Sequence, residues 1–391
     1  MTDLKRISIY LGSFIGPLSG NAVLALVPTL KAEFDASAPS VLLSITFFMI
    51  PFAFFTLFSG AISDVYDRKK TVLLGFLFYI VGSIFCAVSP NLSFFYLARI
   101  IQGFGYGFVN PVLVAILGDI VPYEERGKAM GNLGAATTAG IALGPFIAGF
   151  ISIVNWRAVF LVIASMIAVI ALFFRIQFMN MIFARGTQSA LQVIKNLWQG
   201  IRDKKIFALS LTGFLTFIGY VSTISFVSDF LSLPPLSLKE SDIGAIMATT
   251  GIAGVLAAPV GGRLTDKLGR FITPIIGYIL IIVSMVLMGS TDTLFMIVVS
   301  LAVLGSGTAI VWAPLLTLSV EIKPGSRGTV SSLFNGSRFF GYSLAPIIAA
   351  PIYVSSGIEA VYLFTILLAV CASGAVWIVS IIANPSASIS R

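Results

Sequence analysis

GAISDVYDRKK, Gly60 to Lys70, and GRLTDKLGRF, Gly262 to Phe271, are one element written twice, 202 residues apart. Each copy sits between two long apolar runs and is dense in positive charge. A charged loop at matching places in two halves of an apolar chain means that a half-protein was duplicated. In a polytopic membrane protein, such duplication points to a transporter with its substrate path between the halves.

Composition agrees. Mean hydropathy is +1.02, and only 10% of residues are charged against 58% hydrophobic, far from the balance of a soluble domain. The expected spans are 7–30, 41–63, 71–89, 94–119, 128–150, 157–178, 206–232, 242–263, 271–289, 294–320, 328–352 and 360–383, each long enough to cross a bilayer as a helix. The run from Ile7 lacks a small-residue cleavage site and reads as the first span, not a signal peptide. The net charge of +8 reflects topology and not nucleic acid. Odd-numbered connections hold only Lys31, Arg157 and Lys239; apart from Arg99 and Arg338, every other basic residue falls on the opposite side. The positive-inside rule then puts both termini in the cytoplasm of a cell-membrane protein. With no His and two lone cysteines, Cys86 and Cys371, zinc sites and His-based acid–base catalysis are excluded. No cofactor and no metal are expected, and a monomer is expected.

The repeat extends beyond the loops. Arg126-Gly127 is matched by Arg327-Gly328, and Leu143-Gly144-Pro145 by Leu344-Ala345-Pro346. The halves are 1–178 and 206–391, six spans each, with a linker at 179–205. Within the linker, Leu191, Ile194, Leu197, Trp198 and Ile201 recur at helical spacing among polar residues. That predicts an amphipathic helix on the cytoplasmic membrane face with Trp198 at the interface, either a regulatory site or a clamp on the bilayer.

Gly60, Ile62, Asp64, Arg68 and Lys69, and again Gly262, Leu264, Asp266, Lys267, Gly269 and Arg270, follow a G-x-L-x-D-R-x-G-R-K signature. Arg99, Gln102 and Gly103 follow R-x-x-Q-G in span 4. Gly131, Gly140, Gly144, Pro145 and Gly149 follow G-x8-G-x3-G-P-x2-G-G in span 5, with Ala148 for one glycine. Trp156-Arg157-x-x-Phe160 opens span 6. In these motifs the whole chain resembles the major facilitator superfamily, and the span-5 pattern resembles its twelve-span drug:proton antiporters. The resemblance implies an all-α fold of two pseudo-symmetric six-helix bundles. It implies that Asp64 latches the start of helix 11 at the cytoplasmic side, that Asp266 makes the matching contact with helix 5, and that Arg99 couples substrate to protons.

The residues support parts of this independently. Asp64 ends a helix whose dipole already presents negative charge, so it calls for a partner elsewhere; the plainer reading is that it neutralises Arg68 and Lys69. Placing Arg99 or Arg338 at mid-membrane costs about 2.5–3.5 kcal/mol, so each should face the bundle interior or a watery cavity. Arg338 could bind an anionic group or pair with a carbonyl or acid. Gly140, Gly144 and Gly149, with Pro145, predict a close seam between helix 5 and the glycine-rich helix 8, a seam of gating or of ordinary packing. Asn21, Gln102, Tyr106, Asn110, Phe217, Tyr220, Trp312, Asn335 and Tyr342 are the polar and aromatic candidates to line a cavity. Without His, a proton carrier must be a carboxyl with a raised pKa. Asp229 and Asp119 are the acids most embedded in apolar sequence.

The chain therefore reads as a secondary transporter working by alternating access, and not as an enzyme. Proton-coupled efflux of small amphipathic or drug-like compounds is the leading expectation. Uptake or facilitated diffusion of a small organic solute or anion is the alternative. The expected partners are a small-molecule substrate, protons and the lipid bilayer.

Overall fold

The computed structural model describes residues 2–65, 67–122, 125–181, 183, 190–290, 293–323 and 326–383, with the side chains of 2, 59–65, 127, 190, 191, 193, 327 and 383 outside the description. The described chain is helical: α1 Thr2–Glu33, α2 Ala38–Val65, α3 Arg68–Ala87, α4 Leu92–Ile120, α5 Arg126–Ser152, α6 Trp156–Gln177, α7 Ala190–Arg202, α8 Lys204–Ser232, α9 Glu240–Leu268, α10 Ile272–Gly289, α11 Leu294–Glu321 and α12 Arg327–Ala383. Side-chain oxygens mark several starts. Asp67 accepts from the Lys70 N–H, Asn91 from Phe94 and Asn155 from Arg157, each satisfying a donor that the first turn leaves without a helical partner.

Eleven of these helices are long and apolar enough to cross a membrane, yet the chain makes twelve crossings. α12 has 57 residues, about 85 Å if straight, more than twice a bilayer core. It breaks at Gly357, where φ is 75° and ψ −171°, a conformation open to glycine and strained for other residues. The contacts with α8 show the reversal. Before the break they advance together: Ser337 with Ser210, Ala345 with Ser222, Tyr353 with Asp229. After it, Thr365 returns to Thr223 and Gly219. α12 is thus two antiparallel spans, as the expected limits 328–352 and 360–383 require.

The surface is that of a protein dissolved in lipid. Leu77, Leu256 and Leu363 are more than half exposed, whereas Ser13, Ser19, Ser44, Thr212, Ser222 and Thr223 are buried. Apolar side chains cost nothing against acyl chains, and backbone and hydroxyl groups must find partners inside. Pro17 illustrates this. It lacks an N–H for the carbonyl of Ser13, and that carbonyl accepts the Tyr106 hydroxyl at 3.1 Å.

Contacts divide the chain into two compact units, residues 1–193 with 231–248 and residues 194–230 with 249–391. Internally the two repeat one packing scheme. A side chain on Gly75 would strike the Gly105 carbonyl, and one on Gly277 the Gly307 carbonyl. Gly103 lies on the Phe48 carbonyl as Gly305 lies on that of Thr250. Each correspondence keeps the 202-residue offset of the charged loops. Arg68 pairs with Asp119, and 202 residues on, Arg270 pairs with Glu321.

α7 packs Gly200 against Leu333 and Thr329 of α12 and buries Leu197. Ile194, Trp198 and Ile201 stay exposed, and the Arg202 guanidinium lies 4.9 Å from the Trp198 ring centre. The described apolar positions of this helix are therefore split between the protein and its surroundings; residues 184–189 and the side chain of Leu191 lie outside the description.

Candidate functional site

Arg99 is wholly buried in the first unit. Its Nε donates to the Ser44 carbonyl at 3.2 Å, Nη1 to the Ser19 carbonyl at 3.3 Å and to Gln102 Oε1 at 2.8 Å, and Nη2 to the Gly20 carbonyl at 3.3 Å. Its planar group lies 4.5 Å from the Phe48 ring centre. Gln102 then donates to Ser83 Oγ at 2.8 Å, and Ser83 to the Tyr79 carbonyl. One guanidinium on α4 thereby ties α1 and α2 to their neighbour, and its Gln102 partner extends the network to α3. Carbonyls accept these bonds readily because each has a second lone pair beyond its helical bond. The sequence places Arg99 facing the interior or a watery cavity; it faces the interior, on backbone carbonyls.

Arg338 has a different setting. It is half-buried in the second unit, on α12. Its guanidinium carbon lies 4.3 Å from the Trp312 ring centre, 4.2 Å from that of Phe339 and 5.1 Å from that of Phe217. Phe217 also contacts Tyr220, Trp312 and Tyr342, with centroids 5.5–6.4 Å apart. α8, α11 and α12 thus converge on one cation through aromatic rings. Asn335 is half-buried one turn away and donates to the Ser331 carbonyl at 2.9 Å.

The two acids of the coupling expectation part ways. Asp229 is 3% exposed and accepts a 2.8 Å hydrogen bond from Tyr353. Asp119 is not embedded: its side chain is half-exposed and ion-paired with Arg68. The apolar sequence around it belongs to other faces of α4, and the helix end carries the carboxyl outward.

The expected helix 5 seam also divides. Gly140 and Gly144 lie against the backbone of Phe14 and Leu18 in α1, so they serve packing with the first span. Among the described residues, it is the Gly149 end of α5 that meets α9, the expected helix 8: Gly149 lies on the Glu240 carbonyl, and Gly244 on that of Pro145. Glu240 also accepts from Thr29. Among the latch residues, the side chains of Gly60 and Asp64 lie outside the described residues. Asp266 is exposed at the end of α9. Arg68 and Arg270 make the repeated ion pairs with Asp119 and Glu321.

Asn21 is buried and donates to the Pro17 carbonyl at 2.8 Å, Tyr106 is buried on the Ser13 carbonyl, and Asn110 is half-buried on α4. A polar stripe on α8 escaped sequence reading. Ser222, Thr223, Ser225 and Ser228, leading up to the expected Asp229, are all buried, and Thr216 bonds the Tyr278 hydroxyl at 2.8 Å while Thr223 bonds Thr365 at 2.9 Å. The signal was the density of Ser and Thr before Asp229. Phe339 was also missed, since a phenylalanine in an apolar span carries no mark of its own.

A family model for the Major Facilitator Superfamily matches residues 9–238 and 231–389. The chain belongs to the Major Facilitator Superfamily. The Riboflavin transporter RibZ of Clostridioides difficile is 24% identical over an alignment 401 positions long, covering 90% of this chain and 88% of the relative. The Multidrug efflux protein YfmO of Bacillus subtilis is 27% identical over 332, covering 83% and 80%. The crystal structure of a bacterial homolog to the human lysosomal transporter Spinster superposes with a TM-score of 0.78 over 97% of each chain at 17% identity, which establishes the shared fold. A facilitator of this family moves small molecules across a bilayer and is not an enzyme.

Proposed function

We propose that this facilitator is a proton-coupled exporter of small amphipathic compounds that works by alternating access. The observation that carries the reading is Asp229, a carboxyl sealed at 3% exposure among apolar spans and held by the Tyr353 hydroxyl. A carboxyl so placed is an intramembrane ionisable group, and such groups mark ion and proton paths. The similarity to a protein named for multidrug efflux supports the direction. In this reading the protein is a monomer in the cell membrane with cytoplasmic termini. Asp64 and Asp266 latch the cytoplasmic side, and Arg99 acts on coupling by holding α1, α2 and α4 together.

The second reading, uptake or facilitated diffusion of a small organic solute or anion, is favoured by Arg338 and by the similarity to a riboflavin transporter.

The test is substrate-driven proton movement in dye-loaded proteoliposomes. Wild type should move protons with substrate, Asp229→Asn should not, and Asp119→Asn, whose carboxyl is half-exposed, should behave as wild type. Proton movement surviving in Asp229→Asn removes Asp229 as carrier. Substrate flux without proton movement in wild type makes facilitated diffusion the account.

A further inference from the structure

The described apolar residues of α7 fall on two faces with different neighbours. Leu197 is buried, and Gly200 lies against Thr329 and Leu333 of α12. Ile194, Trp198 and Ile201 are each about half exposed. At about 100° per residue, these three share an arc of about 60°. Going round the helix, the protein-facing Gly200 and Leu197 come first and the exposed apolar arc second. Arg202 and Lys195 follow, then Gln199, all three exposed. That is the cross-section of a helix lying in a membrane interface: apolar arc toward acyl chains, cations at headgroup level, amide toward water. Depth agrees. α12 starts at Arg327, so Thr329 and Leu333 belong to the first two turns of an apolar span. A helix seated on them sits where that span enters the bilayer. Phe207, near the start of α8, is more than half exposed at the neighbouring span entry. The amphipathic indole of Trp198 suits the same level.

Charge then selects the lipid. Residues 190–205 contain Lys195, Arg202, Lys204 and Lys205 against a single acid, Asp203. That acid is already paired with Lys323 at 2.7 Å. None of the four cations forms an ion pair among the described residues, whereas Arg6, Arg68, Arg157 and Arg270 each have a carboxylate partner. The Arg202 guanidinium lies over the Trp198 ring, and a guanidinium stacked on a ring keeps its in-plane N–H groups for an oxyanion. We propose that α7, with Lys204 and Lys205, is a binding surface for anionic phospholipid headgroups. Ile194, Trp198 and Ile201 enter the acyl boundary, while Arg202 and the lysines meet the phosphates. A zwitterionic headgroup brings its own cation to the phosphate, so a cluster of four cations beside a span favours lipids of net negative charge. The surface needs a bilayer around the spans and is independent of substrate, coupling ion and direction of transport.

The experiment is tryptophan quenching of the full chain in lipid nanodiscs. Brominated phosphatidylglycerol or brominated phosphatidylcholine is included as the same minor fraction of a phosphatidylcholine bilayer. The difference between wild type and Trp198→Phe isolates Trp198 from Trp156, Trp312 and Trp377. The anionic lipid should quench Trp198 at least about twice as strongly as the zwitterionic one, a modest share of the enrichment that four surface cations can give. High salt should bring the ratio toward one, because exposed charges are screened. Replacing Lys195, Arg202, Lys204 and Lys205 together by Gln should abolish the preference and leave quenching by the zwitterionic lipid in place. Equal quenching by the two lipids in wild type overturns the proposal, as does a preference that salt does not weaken. Quenching of Trp198 by neither lipid places the apolar arc in water or against another protein, and also overturns it. These wild-type comparisons decide without any variant. A preference unchanged in the fourfold Gln variant overturns the assignment to these cations.

Discussion

Arg99→Lys tests whether the buried arginine is a charge or a geometry. Four hydrogen bonds are at stake, to three backbone carbonyls on two helices and to Gln102 Oε1. The acceptors surround a flat fork; an ammonium radiates three donors from one atom and cannot meet all of them. Hydrogen bonds to charged groups contribute about 1.5–3 kcal/mol each, and the two at 3.3 Å belong at the lower end. Losing two of the longer bonds costs about 3 kcal/mol, and losing the Phe48 face about 1 kcal/mol more. The sum is a large part of the stability of a typical domain, about 5–15 kcal/mol. The assay is thermal unfolding of purified protein in detergent, followed by flux in proteoliposomes. Arg99→Lys should lower the unfolding midpoint by several degrees and reduce flux at least about tenfold, equivalent to about 1.4 kcal/mol. A variant with wild-type midpoint and wild-type flux would refute the geometric argument. An unchanged midpoint with lost flux would assign Arg99 to the transport step itself and not to the framework.

Glycine positions provide a paired test: Gly144→Ala should depress the unfolding midpoint because the new methyl would strike the Leu18 backbone, whereas Gly131→Ala, with nothing within 4 Å, should leave it unchanged or raise it. Equal behaviour of the two would show that α1 and α5 do not pack as described. At the start of α8, burial pushes the Asp203 carboxyl up, but donors from Lys323, Ile206 and Lys205 outweigh it and hold it below its ordinary value near 3.8. A carboxyl lowered by folding stabilises fully above its unfolded value and loses that contribution as pH falls through the folded one. Asp203→Asn should therefore lower the midpoint at pH 7 and narrow its difference from wild type toward pH 3. Added salt should shrink the effect, because Lys323 is half-exposed. A variant deficit independent of pH would refute the electrostatic account.

The sequence by itself determined the architecture. Hydropathy fixed twelve crossings because a bilayer core admits only long apolar helices, and two charged loops 202 residues apart exposed the repeat. That legibility extends to single residues, since Gly103 with Phe48 and Gly305 with Thr250 hold the same offset in space as in sequence. The directions of side chains were not legible. Periodicity could not say that Arg99 would lie on carbonyls of α1 and α2 while Arg338 would lie among aromatic rings, because both are lone arginines in apolar spans. Nor could apolar neighbours in sequence distinguish Asp229, sealed beside Tyr353, from Asp119, half-exposed beside Arg68. Consecutive residues on a helix point about 100° apart, so sequence neighbours are not spatial neighbours. Partners come from other helices at separations of 51 to 124 residues. Only tertiary packing decided that Arg99 is held by backbone carbonyls and that Arg338 lies against aromatic rings.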